Sequence, residues 1–398
     1  MKRKLLILLL MVVTLALVVA GCGGGETEDT SSSNGTDGSE SSTNEGGTDS
    51  EATTEDSGES DDSTEVGYVL AGSDIFYQKG FEVFQGLAEE NGWEVTKTTS
   101  DYDPKNEINN VQDMIAKGVD AIVLTTVNSS TGSKAAAIAN EAGVPIFFVT
   151  ALPDPNGEGV PDGSVSGPWY ESGAGIAELA AAEHGPDSKI ILIEGAYGQG
   201  IGELHRLGFL EQLAEEWDKT PEQVFEENVV FNQTGGWMTD EANTVMQDAI
   251  TKTGGDFDFV FVMNEAMKDG VLKAIQPTGK DYPIYTINGQ EGTVKQVADG
   301  VIEATYSIPP TTEAQIAFQQ VKANLAGEDY PVFLKNVAVP VTEETADSPD
   351  IRPWLETEKY LEMAKNNETG IDISTMEEAG ASDPDWSGQL DLNGAKSN

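Results

Sequence analysis

The sequence predicts an α/β protein built as two doubly wound parallel-sheet lobes, and three observations carry that prediction. Short runs that are apolar throughout or nearly so, such as KIILIE (189–194) and DFVFVM (258–263), alternate with segments whose apolar residues recur at helical spacing. Strands without a polar face belong in parallel sheets covered by helices on both sides. The alternation has too many units for one sheet, and a loop rich in proline and glycine (152–168) divides it near the middle.

The chain opens on Lys2, Arg3 and Lys4, followed by an uncharged apolar run over 5–20. That run is shorter than the roughly 20 residues a bilayer span needs and ends in small residues, so residues 1–21 read as a signal peptide. Val19-Ala20-Gly21-Cys22 resembles the lipobox of bacterial lipoproteins, which implies a lipid on Cys22, the only cysteine of the chain. An ordinary thiol near the cleavage site and an uncleaved apolar anchor are the blander readings.

Residues 22–65 form an acidic linker with 14 carboxylates, no lysine or arginine and, after Cys22, Ala52 as its only apolar side chain. Such a composition cannot bury enough surface to offset chain entropy, so it predicts a disordered tether extended by self-repulsion. The whole chain carries a formal charge of −47, most of it outside this linker. An acidic excess on that scale disfavours nucleic acid and anionic lipid as partners. It also suggests a salty or alkaline exterior, in which case stability rises with added salt; melts indifferent to salt would contradict that.

From Val66 the pattern is regular. VGYVLA (66–71) reads as a strand, a helix runs through Phe81, Phe84 and Leu87 to Gly92, and EVTKTT (94–99) is the next strand. In EINNVQDMIAKG (107–118) Ile108, Val111, Met114 and Ile115 share a helix face, and Gly118 ends it. DAIVLTTV (120–127), a helix over 132–142 and PIFFVT (145–150) continue the alternation. After the Pro/Gly loop come a helix at 171–184, the strand 189–194, a helix at 203–217, NVVF (228–231) and a helix at 239–252. The strand 258–263, a helix at 265–275, PIYTIN (283–288), a helix at 290–299, IEATYSI (302–308) and a helix at 311–326 complete the core. No internal sequence repeat is visible. Ligands of such sheets sit beyond the carboxyl ends of the strands, so two facing lobes place a cleft between them.

The blocks NNVQDMIAKGVDAIVLTTVN, AAAIANEAGVPIFFVT, KIILIEGAYGQG, VFVMNEAMKDGVLKAI and YTINGQEGTVKQVADGVIEATYS resemble the type I periplasmic binding protein family, in its ribose-binding-like branch. The resemblance runs from about Val66 to Val339 and keeps the family's order of blocks. It implies two lobes joined by a three-crossing hinge: 66–164 with 309–338 as the N-terminal lobe and 165–308 as the C-terminal lobe. Residues 339–398 are then a C-terminal extension, partly packed through the amphipathic stretch IRPWLETEKYLEMA and expected to be mobile after about Asn367. The implied activity is binding of a small polar ligand, a sugar or polyol, for delivery to an ABC permease by a non-enzymatic monomer held by lipid on the outer face of the membrane.

The resemblance also implies a ligand-binding set. Phe76 and Tyr77, with Asp74 beside them, match the family's aromatic slot after the first strand. Trp237 matches an aromatic of the second lobe, and Asn264 and Asn288 match polar residues that follow its strands. Asn128, Thr150, Trp169 and Glu203 fall at further cleft positions. Many monosaccharide receptors carry an Asp-Arg pair where Thr150 and Ala151 stand here, and an arginine near the position of Glu203, with His205 and Arg206 close by. Those departures weaken a monosaccharide, since the pair supplies bidentate charged hydrogen bonds to hydroxyls. Phe76 and Tyr77 have a core reading, Asn264 and Asn288 a helix-capping one, and Trp169 and Tyr170 a hinge-packing one.

Other chemistries fare worse. EGAYGQGIGELHRLGF (194–209) sits where a dinucleotide loop would, but Glu203 stands at its third glycine position and would repel a pyrophosphate. It reads instead as a tight turn at the cleft. Hydrolysis lacks a nucleophile with a base, since the histidines are only His184 and His205, the former at a helix end where a cation suits the dipole. DPDWSGQLDLNG (383–394) places Asp383, Asp385, Ser387, Gly388 and Asp391 at calcium-loop spacing, yet Gly394 stands where a bidentate glutamate belongs. No cofactor or metal is expected. The alternatives kept open are a non-sugar metabolite or signalling molecule as ligand, and a membrane sensor kinase as partner. The export signal and acidic charge exclude a transcription regulator.

Overall fold

Residues 63–386, except 352, 353, 355 and 381, are described by the computed structural model. The leader, Cys22, the linker up to Asp62, and Ser387, Gly388 and Asp391 lie outside the described residues. Among the described residues no helix is long and apolar enough to cross a membrane.

The first sheet holds β1 (Glu65–Leu70), β2 (Glu94–Thr99), β3 (Ala121–Leu124), β4 (Ile146–Thr150), β5 (Gly163–Ser166) and, from late in the chain, β11 (Phe333–Lys335). Its order is β11-β5-β4-β3-β1-β2, with every neighbouring pair parallel. The second sheet holds β6 (Ile190–Glu194), β7 (Val229–Thr234), β8 (Phe259–Val262), β9 (Ile284–Asn288), β10 (Ala304–Ser307) and β12 (Val339–Val341), in the order β12-β10-β9-β8-β6-β7. Only β12 runs antiparallel to its neighbour. The doubly wound order therefore repeats in space although no repeat shows in the sequence.

The central strands β1, β3, β4, β6 and β8 are buried along almost their whole length, as their unbroken apolar runs require. Helices α1 (Ile75–Glu90), α2 (Pro104–Lys117), α3 (Ser129–Ala142) and α10 (Pro310–Ala326) belong to the first lobe. The second has α4 (Trp169–Glu183), α5 (Ile201–Glu216), α6 (Pro221–Asn228), α7 (Thr239–Thr253), α8 (Glu265–Ile275) and α9 (Glu291–Ala298). Several helices start earlier than their apolar stripe because a cap fixes the start: Asp103 accepts from the N–H of Lys105 before Pro104, and Asn128 from that of Thr131. Tyr68 meets Phe81 and Phe84 edge-on at 5.3 and 5.1 Å, which anchors α1 to its sheet. His184 ends α4 as expected, but it stacks on Phe259 and burial lowers its pKa, so it sits there as a neutral ring and not as the expected cation.

The chain crosses between the sheets three times: at 167–168 between β5 and α4, at 308–309 between β10 and α10, and at 336–338 between β11 and β12. The crossings are tied together. Asn336 donates its side-chain amide to Pro309 O at 2.8 Å and its backbone N–H to Ser166 O at 2.8 Å. The lobe boundary expected at 164/165 falls inside β5, which stays whole in the first sheet, and β12 gives the second sheet a strand from the expected extension.

After β12 the tail returns to the first lobe. Helix α11 (Thr357–Lys365) packs on α1 and α10, with Tyr360 Oη donating to Gln315 Oε1 at 2.6 Å. Beyond Asn367, where the sequence predicts mobility, Ile373 is buried, Ala379 N–H bonds Phe333 O along the edge of β11, and Trp386 packs on Phe333 at 5.3 Å. A sheet edge is thus covered by the chain's own end.

Candidate ligand-binding site

A cavity of about 40 Å³ lies between the lobes. That is a few times the space one water requires. From the first lobe come Asp74, Phe76 and Tyr77 at the start of α1, Tyr102 in the turn after β2, and Thr150 at the end of β4. The second lobe supplies Ile201 and His205 on α5, Trp237 before α7, Met263 and Asn264 after β8, and Asn288 at the end of β9. Trp169 enters from the first crossing. All of these positions lie at or just beyond carboxyl ends of strands, on the helices that follow them or at the hinge.

Backbone strain concentrates here. Of seven non-glycine residues with positive φ among the described residues, four line this cavity: Tyr102 (57°), Thr150 (72°), Trp237 (65°) and Asn288 (116°). Such a conformation costs on the order of 1–3 kcal/mol each and is hardest for a β-branched residue such as Thr150. It persists where surrounding bonds over-determine it. Around Thr150 they do: its hydroxyl donates to Glu313 at 2.6 Å, and its carbonyl accepts from Trp169 Nε1 at 3.0 Å.

The aromatic walls are set by close packing. Phe76 meets Tyr77 edge-on at 6.1 Å and Trp169 at 6.4 Å, and Trp354 of the tail lies 5.9 Å behind it. Trp237 lies so close over Gly195 that a Cβ there would come within 1.9 Å of its ring. Only glycine fits beneath it. The indole N–H of Trp237 donates to Gln199 Oε1 at 2.9 Å.

The polar groups offer acceptors and amides. Asp74 caps α1 by accepting from the N–H of Phe76 at 2.7 Å, and burial raises its pKa against that bond. Tyr77 remains a neutral phenol, because burial and the charge of Asp74 raise its pKa. His205 Nδ1 lies 2.8 Å from Trp169 O. A carbonyl only accepts, so Nδ1 carries the proton and Nε2 is an acceptor. Burial pushes this imidazole down to about 3, so it is neutral. Asn264 accepts from Met267 N–H at 2.8 Å, capping α8, while its amide nitrogen lies 3.4 Å from Trp237 O. Capping and lining coexist in one residue. The Asn288 side chain makes no hydrogen bond among the described residues, and the loop after it is held by Glu265, whose carboxylate accepts from Gln290 N–H at 2.9 Å. Burial raises Glu265 to about 8.

Asp74, Phe76, Tyr77, Thr150, Trp169, Trp237, Asn264 and Asn288 are thus brought together, whereas Asn128 and Glu203 do not line the cavity. The Asn128 carboxamide oxygen is taken up by the N–H and hydroxyl of Thr131. Glu203 turns back to accept from Gly198 N–H at 2.6 Å. Helical phase explains the exchange of Glu203 for His205: Ile201 and His205 are four residues apart on one face of α5, and Glu203 points about 200° away from Ile201. Arg206 is also absent from the lining, paired with the buried Glu194 at 2.8 Å. Tyr102 was findable only from its place in the turn after β2, and Met263 only as the neighbour of Asn264.

Two of the acidic residues at calcium-loop spacing, Asp383 and Asp385, lie away from the cavity. Asp383 and Asp385 gather with Glu171 near the hinge, and the Lys335 ammonium stands among them at 2.5 Å from Glu171 and Asp385 and 3.1 Å from Asp383. The position a cation would take is held by a side chain.

The profile of the periplasmic binding protein domain matches residues 66–329. A xylitol-binding protein of Mycolicibacterium smegmatis is 25% identical over 307 residues, covering 76% of this chain and 84% of the relative. A ribose import binding protein of Bacillus subtilis is 25% identical over 258 residues, covering 65% of this chain and 79% of the relative. Among solved structures, the binding component of the arabinose ABC transporter of Shewanella sp. ANA-3, bound to L-arabinofuranose, superposes with a TM-score of 0.67 at 22% identity. That match covers 75% of this chain and 98% of the other, and at such identity it speaks for the fold.

Proposed function

The chain belongs to the periplasmic binding protein family, and from that premise we propose that it is the substrate-binding component of an ABC importer, taking a small uncharged sugar or polyol. The supporting observation is the cavity itself: aromatic rings from both lobes face one space together with Asp74, His205, Asn264 and Asn288. Aromatic faces suit the apolar faces of a polyhydroxylated ring or chain, and acceptors and amides suit its hydroxyls. No lysine or arginine lines it among the described residues. That argues against sugar acids and sugar phosphates, whose charge would face Asp74 unpaired.

The reading involves no chemistry on the ligand. His205 is neutral and tied to Trp169, and among the described residues that line the cavity no nucleophile is paired with a base. Lobes closed on ligand present one shape to a permease; the receptor is held near it by lipid on Cys22. A thermal-shift screen of the protein against xylitol, ribose, arabinose and myo-inositol tests the ligand class, since a bound ligand raises the melting midpoint by mass action. A shift with a nucleoside and none with the polyhydroxylated set would move the reading to another ligand. For the anchor, Cys22→Ser should release the protein to the medium with binding intact; retention on the membrane would show that the apolar run anchors it.

A further inference from the structure

The loop Gly195-Ala196-Tyr197-Gly198-Gln199-Gly200, between β6 and α5, leaves its motif unexplained by the ligand site. Gln199 is 1% exposed, and its amide touches both lobes. Nε2 lies 3.2 Å from Tyr77 Oη and 3.1 Å from Thr126 O, both in the first lobe. Oε1 accepts from Trp237 Nε1 in the second. A carbonyl only accepts and an indole only donates, so the amide has one orientation, with both its hydrogens and its oxygen engaged. The backbone joins in: Ser129 N–H donates to Gly198 O at 3.0 Å.

Both sides of this contact are held from behind. Gly198 and Gly200 take φ of 85° and 89°, which glycine adopts without steric cost, and Glu203 accepts the Gly198 N–H. In the first lobe, Glu107 meets the Thr126 hydroxyl at 2.7 Å and the Val127 N–H at 2.5 Å. Two turns are thus shaped for each other before any ligand is considered.

We propose that Gln199 is a latch, a positioning residue that closes the second lobe on the first and fixes Tyr77 and Trp237, one aromatic wall from each lobe, in a single relative orientation. The proposal rests on the reading that the lobes open and close over a ligand. It adds a contribution to closure that the ligand does not supply. In an open form Gln199, Tyr77 Oη and Thr126 O face water, so deleting the amide penalises the closed form, where it strands Thr126 O and the Trp237 indole N–H and leaves Tyr77 Oη with Tyr102 alone.

The test is the interlobe distance in ligand-free full-length protein carrying Cys22→Ser, read by energy transfer between dyes on Lys117→Cys and Lys273→Cys. Gln199→Ala should lower the closed-to-open ratio at least about tenfold. Ser129→Pro removes the interlobe N–H at the first position of α3, where proline is tolerated. It should move the ratio the same way by less, with melting midpoints near that of the parent. An unchanged ratio in both variants overturns the latch. So does a parent that is open throughout, or a lowered midpoint with an unchanged ratio. Because no ligand is added, failure to find a sugar or polyol in the screen leaves this measurement intact.

Discussion

The turn after β1 and the turn after β6 occupy the same place in two sheets of the same strand order, and they do opposite things. After β1 the chain turns through Asp74 into Phe76 and Tyr77, placing a cap and two rings at the cleft. After β6 it turns through three glycines of a six-residue stretch into α5, whose start has no side-chain cap. The first turn contributes by what its side chains present. The second leaves the cleft wall to others: it makes room for Trp237 over Gly195, and it meets the other lobe with its backbone and the Gln199 amide. One topology thus supplies a surface on one side and a socket on the other, and fold alone does not say which.

Filling the socket should have the largest effect. In Gly195→Ala the new methyl meets the Trp237 ring, whose backbone is already left-handed and has little freedom to yield. We expect affinity to fall by about a hundredfold or more, equivalent to about 3 kcal/mol, in calorimetric titration with the strongest compound of the screen. Undiminished affinity would mean that Trp237 is not a wall of the site.

Asn264 separates capping from binding on the second-lobe side. Asn264→Asp keeps the oxygen that accepts from Met267 but loses the amide donor, so affinity should drop roughly five- to thirtyfold with little change in the unliganded melt. Asn264→Leu should lose both, and the unliganded protein should lose about 1 kcal/mol of stability with the cap. Equal affinity in all three forms would leave Asn264 as a cap only.

The smallest effect is shared by both lobes. Glu107, Glu265 and Glu313 lie buried under cleft turns or the hinge, and burial raises them to about 7, 8 and 7. The folded protein therefore keeps these protons to higher pH than the unfolded chain, whose glutamates ionise near about 4.3. Their stabilising contribution is complete below that pH and declines as pH rises towards about 8, since the unfolded chain then binds fewer protons. Melting midpoints should fall by several degrees, about 1 kcal/mol or more in total, between pH 5 and 8, and Glu265→Gln should flatten the upper part of that fall. Midpoints that climb across the interval would reverse the assignment.

Much of this was legible from the residues. The periodic segments 94–99 and 265–275 coincide with β2 and α8, because alternation and apolar stripe match the elements without competition. Strand β5 carries no signal of its own: GSVS has one large apolar residue, and it is a strand because β4 and β11 flank it. Helix α6 carried a readable sign in Thr220-Pro221-Glu222-Gln223, a reciprocal capping box with proline at its first turn. In the site, the family resemblance located the rings and asparagines, which follow strand ends. Helical phase would have preferred His205 to Glu203. No local signal announces that Gln199 reaches across to Tyr77, or that Trp354, far along the chain, backs Phe76, since both depend on how distant segments meet.

Of the six tryptophans in the sequence, Trp169 and Trp237 line the cavity and Trp354 stands directly behind Phe76. Their indoles come from the hinge, the second lobe and the tail, and those of Trp169 and Trp237 donate to Thr150 O and Gln199 Oε1. The molecule consequently carries its own optical sensor. Half of its indoles stand where filling a cavity and moving the lobes both change their surroundings, so a change in ultraviolet emission can report occupancy without a dye.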